Sequence, residues 1–272
     1  MTVHGDDTEL GWDGHLVLLP GSEDDRRARF SSWVRSGLAR GEQVVYAENA
    51  RIPADRSVLA ILDQHGVDTE KARANGDLVV VSMDEVRSPG GWRAIAERGL
   101  ARHPAVRLSG EPCGGGALSE AVMAELERDI DELCRALPVS ALCQYGGPIA
   151  AGEPFDGVAG SHSGGVRDRQ LHTAVEDGTL VLAGEIDLAN EAVLTPVLRS
   201  ATAGAGRMHT VDLRRLAFLS VGGCRTLVIA TAAYRERGGC VELRSPQWIV
   251  ERAMRMLGLD DIADMEVVGS GW

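Results

Sequence analysis

Serine, glycine and acidic residues meet at Pro20-Gly21-Ser22-Glu23, where an apolar run, His15–Leu19, gives way to a helix-like segment. A loop in that position can hold a phosphate. To do so in an ATPase it needs further glycines to wrap the phosphates, a lysine to reach them and a Ser or Thr for magnesium. The chain contains neither Gly-Lys-Ser nor Gly-Lys-Thr, and Lys71 is its one lysine. ATP hydrolysis by that route is not expected, and Ser22 reads as the N-cap of a helix with an acidic first turn. Gly114-Gly115-Gly116 also lies between a strand-like and a helix-like stretch. Its backbone N–H groups could hold an anion, although a glycine run alone is foremost a loop.

His15, Glu48, Glu111 and Cys143 fall in or at the ends of successive strand-like runs, and Tyr145 follows the last of them. Gathered together, the first four would offer nitrogen, oxygen and sulfur donors to a metal or a polar ligand. His15 and Cys143 equally suit plain packing inside a strand. Either carboxylate could cap the segment that follows it. In the second half, Ser220 precedes a helix rich in apolar residues. It reads as an N-cap, or as a phosphoacceptor. The helix N-terminus would tolerate the phosphate, and an acidic or apolar partner would be repelled by it. Neither Gly-x-Ser-x-Gly nor His-Glu-x-x-His occurs. Nothing in these motifs points to an enzyme, a resident metal or a cofactor.

The elements that must position these residues alternate. Apolar runs at 15–19, 43–47, 78–82, 106–109 and 139–144 read as strands. Helical spacing follows Ser22 through Phe30, Trp33, Val34 and Leu38, and recurs over 55–65, 92–102 and 119–136. The alternation predicts an α/β fold with a mostly parallel sheet, helices on both faces, and ligands beyond the strand C-terminal ends. Residues 146–166 hold seven glycines and two prolines and keep no period, which predicts a linker. Beyond it, Glu176-Asp177-Gly178 joins strands at 170–175 and 179–185 as a hairpin. Helices over 189–202, from Ser220 to about Arg237, and over 246–257 alternate with strands at 209–213 and 241–243. This predicts a second, smaller α/β domain.

Composition narrows the function classes. A chain 44% hydrophobic and 25% charged is not wholly disordered. A net charge of -12 argues against a general nucleic-acid binder. Five cysteines, at 113, 134, 143, 224 and 240, make no Cys-x-x-Cys pair and no disulfide framework. The acidic, polar start is no signal peptide, and no apolar run approaches the ~18 residues of a membrane span. A cytoplasmic protein with reduced thiols is expected, with neither nucleic acid nor membrane as partner.

Gly184-Glu-Ile-Asp187, the helix after it, and Val211-Asp-Leu-Arg-Arg-Leu-Ala-Phe-Leu-Ser220-Val-Gly-Gly223 resemble a STAS domain of the anti-sigma-factor antagonist type, over 170–268. His15-Leu-Val-Leu-Leu, Gly37-Leu-Ala-Arg-Gly-Glu-Gln-Val-Val-Tyr-Ala, Leu108-Ser-Gly-Glu111 and Leu142-Cys-Gln-Tyr145 resemble the MEDS sensory domain, a relative of RecA- and KaiC-like folds without the phosphate loop. That resemblance covers 12–148 and leaves 149–169 as a glycine-rich linker.

Together the two resemblances imply a sigma-factor regulator. The STAS half would bind an anti-sigma factor of the serine-kinase type through Asp187, Ser220, Val221, Gly222 and Gly223. An unknown small molecule would be sensed at His15, Glu48, Glu111, Cys143 and Tyr145. The antagonist family is switched by phosphorylation of the first serine in Asp-Ser-Ser-Gly. Those positions are here Ser220, Val221, Gly222 and Gly223, so the acceptor position lacks a hydroxyl and Ser220 stands one residue early. The rival reading is a ligand sensor whose STAS-like half serves a homodimer or an unrelated protein partner.

The missing lysine and magnesium ligand give a direct expectation. Purified chain should release no phosphate from ATP in a coupled assay, and a magnesium-dependent rate would contradict this reading of the first loop.

Overall fold

Local signals start the first helix before any packing is considered. Ser22 Oγ accepts the Asp25 backbone N–H at 3.1 Å, and Glu23, Asp24 and Asp25 place carboxylates at the positive end of the helix dipole. The structure is a computed structural model that describes residues 10–49, 52–88, 90–110, 120–145 and 162–269, with side chains of the 120–136 helix described from 125 onward. It divides into two units, Trp12–Gly147, and Pro148–Trp272 together with Met1–Gly11.

In the front unit, strands β1 (His15–Leu18), β2 (Gln43–Glu48), β3 (Leu78–Ser82), β4 (Val106–Gly110) and β5 (Val139–Gln144) pair in the order β1-β5-β4-β2-β3. All four pairings are parallel. Helices α1 (Glu23–Ala39), α2 (Val58–Gln64) and α3 (Thr69–Asn75) cover one face. There Phe30, Trp33, Val34, Val58 and Leu62 pack on Leu16, Leu18, Val44, Tyr46 and Leu142. Helices α4 (Met83–Arg87), α5 (Gly91–Leu100) and α6 (Glu120–Ala136) cover the other. Val86, Ile95, Ile130 and Leu133 pack there on Val45, Ala47, Val106, Leu108 and Ala141. Successive strand residues point to opposite faces, so each strand feeds both cores and reads as a continuous apolar run. The mostly parallel α/β sheet expected from the alternation is what forms. The short helices α3 and α4 were not expected, because one or two turns carry too few residues to show a period. Their caps are nonetheless in the sequence: Asp68 Oδ1 accepts Lys71 N at 3.0 Å, and Ser82 Oγ accepts Glu85 N at 3.2 Å.

The second unit holds β6 (Gly165–Arg167), β7 (Leu171–Glu176), β8 (Thr179–Ile186), β9 (Met208–Leu219), β10 (Cys240–Arg244) and β11 (Met265–Val268), in that order across its sheet. The first two pairings are antiparallel and the rest parallel. The β7–β8 hairpin turns at Asp177 (φ 49°) and Gly178 (φ 79°), the left-handed pair that a tight hairpin requires. Helices α7 (Glu191–Ala203), α8 (Val221–Glu236) and α9 (Trp248–Met256) follow β8, β9 and β10. This is the second α/β domain the sequence predicts, although the unit that holds it is no smaller than the first.

Strand β6 lies inside the stretch expected to be linker. It forms because the buried Arg167 guanidinium donates to three carbonyls, Val166 O at 3.0 Å, Thr173 O at 2.5 Å and Gly11 O. Glycine content hid that anchor. The linker residues before 162 lie outside the described residues, as do Glu111 and Gly114–Gly116. Among the described residues, no helix is long and apolar enough to cross a membrane.

His209, on β9, is buried, and its Nε2 has no hydrogen-bond partner among the described residues. Burial holds its pKa below the ordinary 6.5. Below about pH 6.5 the unfolded chain therefore takes up a proton at this residue that the folded chain refuses, and the His209 contribution to stability falls as pH falls, opposite in sign to that of His15. Urea unfolding at neutral pH and at about pH 5.5, compared between the parent chain and a His209 variant, isolates this loss. His209→Leu should reduce it, and an unchanged pH dependence in that variant would contradict the assignment.

Candidate functional site

Helix α6 brings two carboxylates onto the front sheet. Its apolar stripe includes Leu126, Ile130 and Leu133. Glu127, three residues before Ile130, shares that stripe, and Asp131 lies one turn further on. Beneath them, Val17 of β1 is in register with Cys143 of β5, and His15 with Ala141. Period-two alternation puts His15, Val17, Ala141 and Cys143 on the same face.

The result is a buried polar cluster. His15 Nε2 stands 3.1 Å from Glu127 Oε2 and 3.3 Å from Cys143 Sγ. Cys143 Sγ is 3.4 Å from the same Glu127 oxygen. His15 Nδ1 is 3.5 Å from Asp131 Oδ1, and Arg135 holds Asp131 at 3.0 Å. The Tyr145 hydroxyl donates to the other Glu127 oxygen, Oε1. His15 is fully buried and Glu127 and Tyr145 nearly so. Burial alone would lower the His15 pKa. The hydrogen bonds to Asp131 and Glu127, with the charges of both, outweigh it and raise the pKa above 6.5. The thiols of Cys134 and Cys224 behave otherwise: burial pushes them up to about 12 and about 11, so both stay protonated at neutral pH.

A cavity of about 60 Å³ adjoins the cluster. Met83, Val86, Trp92, Leu126 and Ile130 make it largely apolar, and Glu127 and Cys143 form part of its wall. Its lining includes Ser109, Gly110 and Gln144 at the carboxyl ends of β4 and β5, the strand ends at which open parallel sheets receive ligands.

Of the five residues proposed for sensing, the structure gathers His15, Cys143 and Tyr145. Glu48 does not join them, which corrects the expected convergence. It follows Tyr46 by two residues and so faces α1 and α2, on the opposite side of the sheet from His15. Its Oε1 accepts the Val58 backbone N–H at 2.6 Å and so caps the start of α2. Glu111 lies outside the described residues. Sequence reading missed Glu127 and Asp131. The available signal was an acid on the apolar stripe of a helix, where burial demands a partner.

At the other candidate site, the carboxyl ends of β8 and β9 meet: Ser220 N donates to Ile186 O at 2.9 Å. Asp187 Oδ1 accepts Ala189 N at 2.8 Å and shapes the turn into α7. Ser220 caps α8, its Oγ accepting Gly223 N at 3.0 Å and standing 3.5 Å from Glu191 Oε2. Val221 opens the helix with 59% of its surface exposed. Leu188 is 85% exposed on the neighbouring turn, Phe218 is exposed near the end of β9, and Ile229 is exposed about two turns further along α8. Gly222 faces Glu191, whose carboxylate a Cβ there would overlap, and Gly223 is buried.

Comparison with known proteins agrees with these two folds. A family model described as MEDS, the methanogen/methylotroph DcmR sensory domain, matches residues 14–163. A second, described as a Mlab, STAS domain, matches residues 170–268. Among solved structures the chain is similar to an anti-sigma factor antagonist from Mycobacterium paratuberculosis, at 25% identity. That match covers 35% of this chain and 83% of the other, with a TM-score of 0.27. No curated protein matches. With its first model spanning more than half of the chain, the protein belongs to the MEDS family and carries a STAS domain behind the sensory one.

Proposed function

We propose that this chain is a cytoplasmic, non-enzymatic regulator in which the STAS domain binds an anti-sigma factor of the serine-kinase type and the MEDS domain senses a small molecule. The observation that carries the reading is the apolar surface at the ends of β8 and β9. Leu188, Phe218 and Val221 are exposed on the segments that flank the start of α8, with Ile229 exposed further along the same helix, and exposed apolar side chains of this kind are what a protein partner covers. The MEDS cavity supports the sensing half of the proposal. A cavity of roughly 150 Å³ is known to hold benzene, so one of about 60 Å³ favours a smaller, largely apolar molecule. For such a ligand to change partner binding, it must have different affinities for two states of the chain.

The phosphorylation switch of antagonist domains has no acceptor hydroxyl at Val221. Ser220 is a poor substitute. Its Oγ is engaged as the helix cap, and a phosphate there would sit against the Glu191 carboxylate. The rival use of the STAS half, in a homodimer or with an unrelated protein, draws on the same turn, whose acceptor position lacks a hydroxyl. Capture of partners from the native host separates the two. An anti-sigma kinase in the eluate supports the first, whereas its absence together with a dimer in sedimentation supports the second.

Two outcomes are expected. Val221→Glu should weaken binding to the captured anti-sigma factor by at least about tenfold, with the circular dichroism spectrum unchanged. Unaltered affinity in titration calorimetry would remove the proposed surface. Gly222 is the poorer position to probe, because any side chain there also displaces Glu191. Incubation with the active kinase and ATP should leave the chain unmodified or carrying one phosphate at Ser220. Peptide mapping that places phosphate at Thr226 would overturn the alignment of this turn with the antagonist motif.

A further inference from the structure

We infer that His15, Glu127 and Cys143 of the MEDS domain form a binding site for a divalent transition-metal ion of the zinc class. The inference stands independently of the sigma-factor reading. Its basis is the triangle of donor atoms. Zinc bonds of about 2.0–2.1 Å to nitrogen and oxygen and about 2.3 Å to thiolate, in tetrahedral geometry, set neighbouring donors roughly 3.3–3.6 Å apart. The three edges here are 3.1, 3.3 and 3.4 Å, each a little shorter than that spacing, so the ligands would move slightly apart to take an ion.

The three donor atoms converge on one point: Glu127 Oε2 is within hydrogen-bond reach of both His15 Nε2 and Cys143 Sγ, and those two lie in contact with each other. The donor set is chemically coherent, since imidazole, thiolate and carboxylate together suit a borderline-soft ion better than magnesium or calcium.

The groups around the triangle are those a metal site uses to fix its ligands. Asp131 stands at Nδ1, the His15 nitrogen turned away from the triangle, and Arg135 steadies Asp131. The Tyr145 hydroxyl holds the Glu127 oxygen that does not face His15. A carboxylate behind a ligand imidazole and a hydrogen bond to a ligand carboxylate orient both ligands and raise their basicity. Glu127 and Cys143 also line the cavity, so two of the three donors border open space within the domain. Three protein donors leave the remaining tetrahedral position to a donor beyond this trio.

Cobalt(II) is the probe, because its bond to a thiolate gives a near-ultraviolet charge-transfer band that zinc lacks. Untagged full-length chain, stripped with a chelator and then titrated with Co²⁺, should take up one ion per chain and develop this band with the visible bands of a tetrahedral ion. Cys143→Ser should abolish the near-ultraviolet band, and Cys134→Ser should keep it. Tyr145→Phe should weaken cobalt binding about tenfold or more through its loss of hold on Glu127. If the Cys143 variant does not fold, His15→Gln and Glu127→Gln replace it, each expected to weaken binding by at least about tenfold. Failure of the unaltered chain to take up cobalt at this stoichiometry would overturn the site. So would persistence of the thiolate band in Cys143→Ser, or undiminished binding in the histidine and glutamate variants.

Discussion

A polar side chain beneath a helix on a parallel sheet is cut off from water and must find its partners inside the protein. The contact between His15 on β1 and Glu127 on α6 answers that requirement, and much of the front half is arranged around it. Leaving either group buried without the other would cost about 3–5 kcal/mol, since an uncompensated charge would remain in the interior. The pair therefore fixes α6 over the β1–β5 seam more sharply than the apolar stripe alone, which would tolerate sliding by part of a turn. Cys143 and Tyr145 come into reach because the register of β5 against β1 keeps Leu142 in the opposite core, and a one-residue slip would turn them away.

The same sheet geometry has the opposite result in the second half. Parallel strands β8 and β9 each turn directly into a helix, so their ends bring two connections side by side. The polar groups there are used locally: Ser220 caps α8, and Asp187 and Asn190 bond within the turn before α7. With its backbone donors satisfied internally, this end of the sheet has apolar side chains left over to offer outward. In one half buried polar groups are gathered around a cavity. In the other, polar groups are consumed by the turns and apolar groups are displayed.

What the sequence disclosed follows from the range of the signals. The five front strands, the hairpin at Asp177-Gly178 and the helix after Ser220 are written in neighbouring residues as apolar runs, turn residues and caps. The candidate site is legible only in part, because its members are brought together by pairing and not by spacing. His15, Cys143 and Tyr145 could be nominated as chemistry-bearing residues in strands. Whether Glu48 joins them depends on the face toward which its strand points it, and a single glycine-bounded run does not reveal which face of a doubly covered sheet is which. Glu127 and Asp131 were hidden for a different reason. On a surface helix an acid is ordinary, and only the position of Glu127 on the stripe with Ile130 sets it apart. Arg167 shows the same limit, since its carbonyl partners in β7 and at Gly11 turn an apparently unstructured glycine-rich stretch into a strand.

The order in which the front strands pair also constrains how the chain is made. β1 is the first strand synthesised and β5 the last of its unit, yet they are neighbours, with His15 and Cys143 separated by 128 positions. During translation β1 must wait on the ribosome while its future neighbour is still inside the exit tunnel. Closure of so long a loop is slow, and the waiting edge is exposed to wrong pairings in the meantime. The buried cluster, which draws on both β1 and β5, can therefore close only after β5 has left the ribosome.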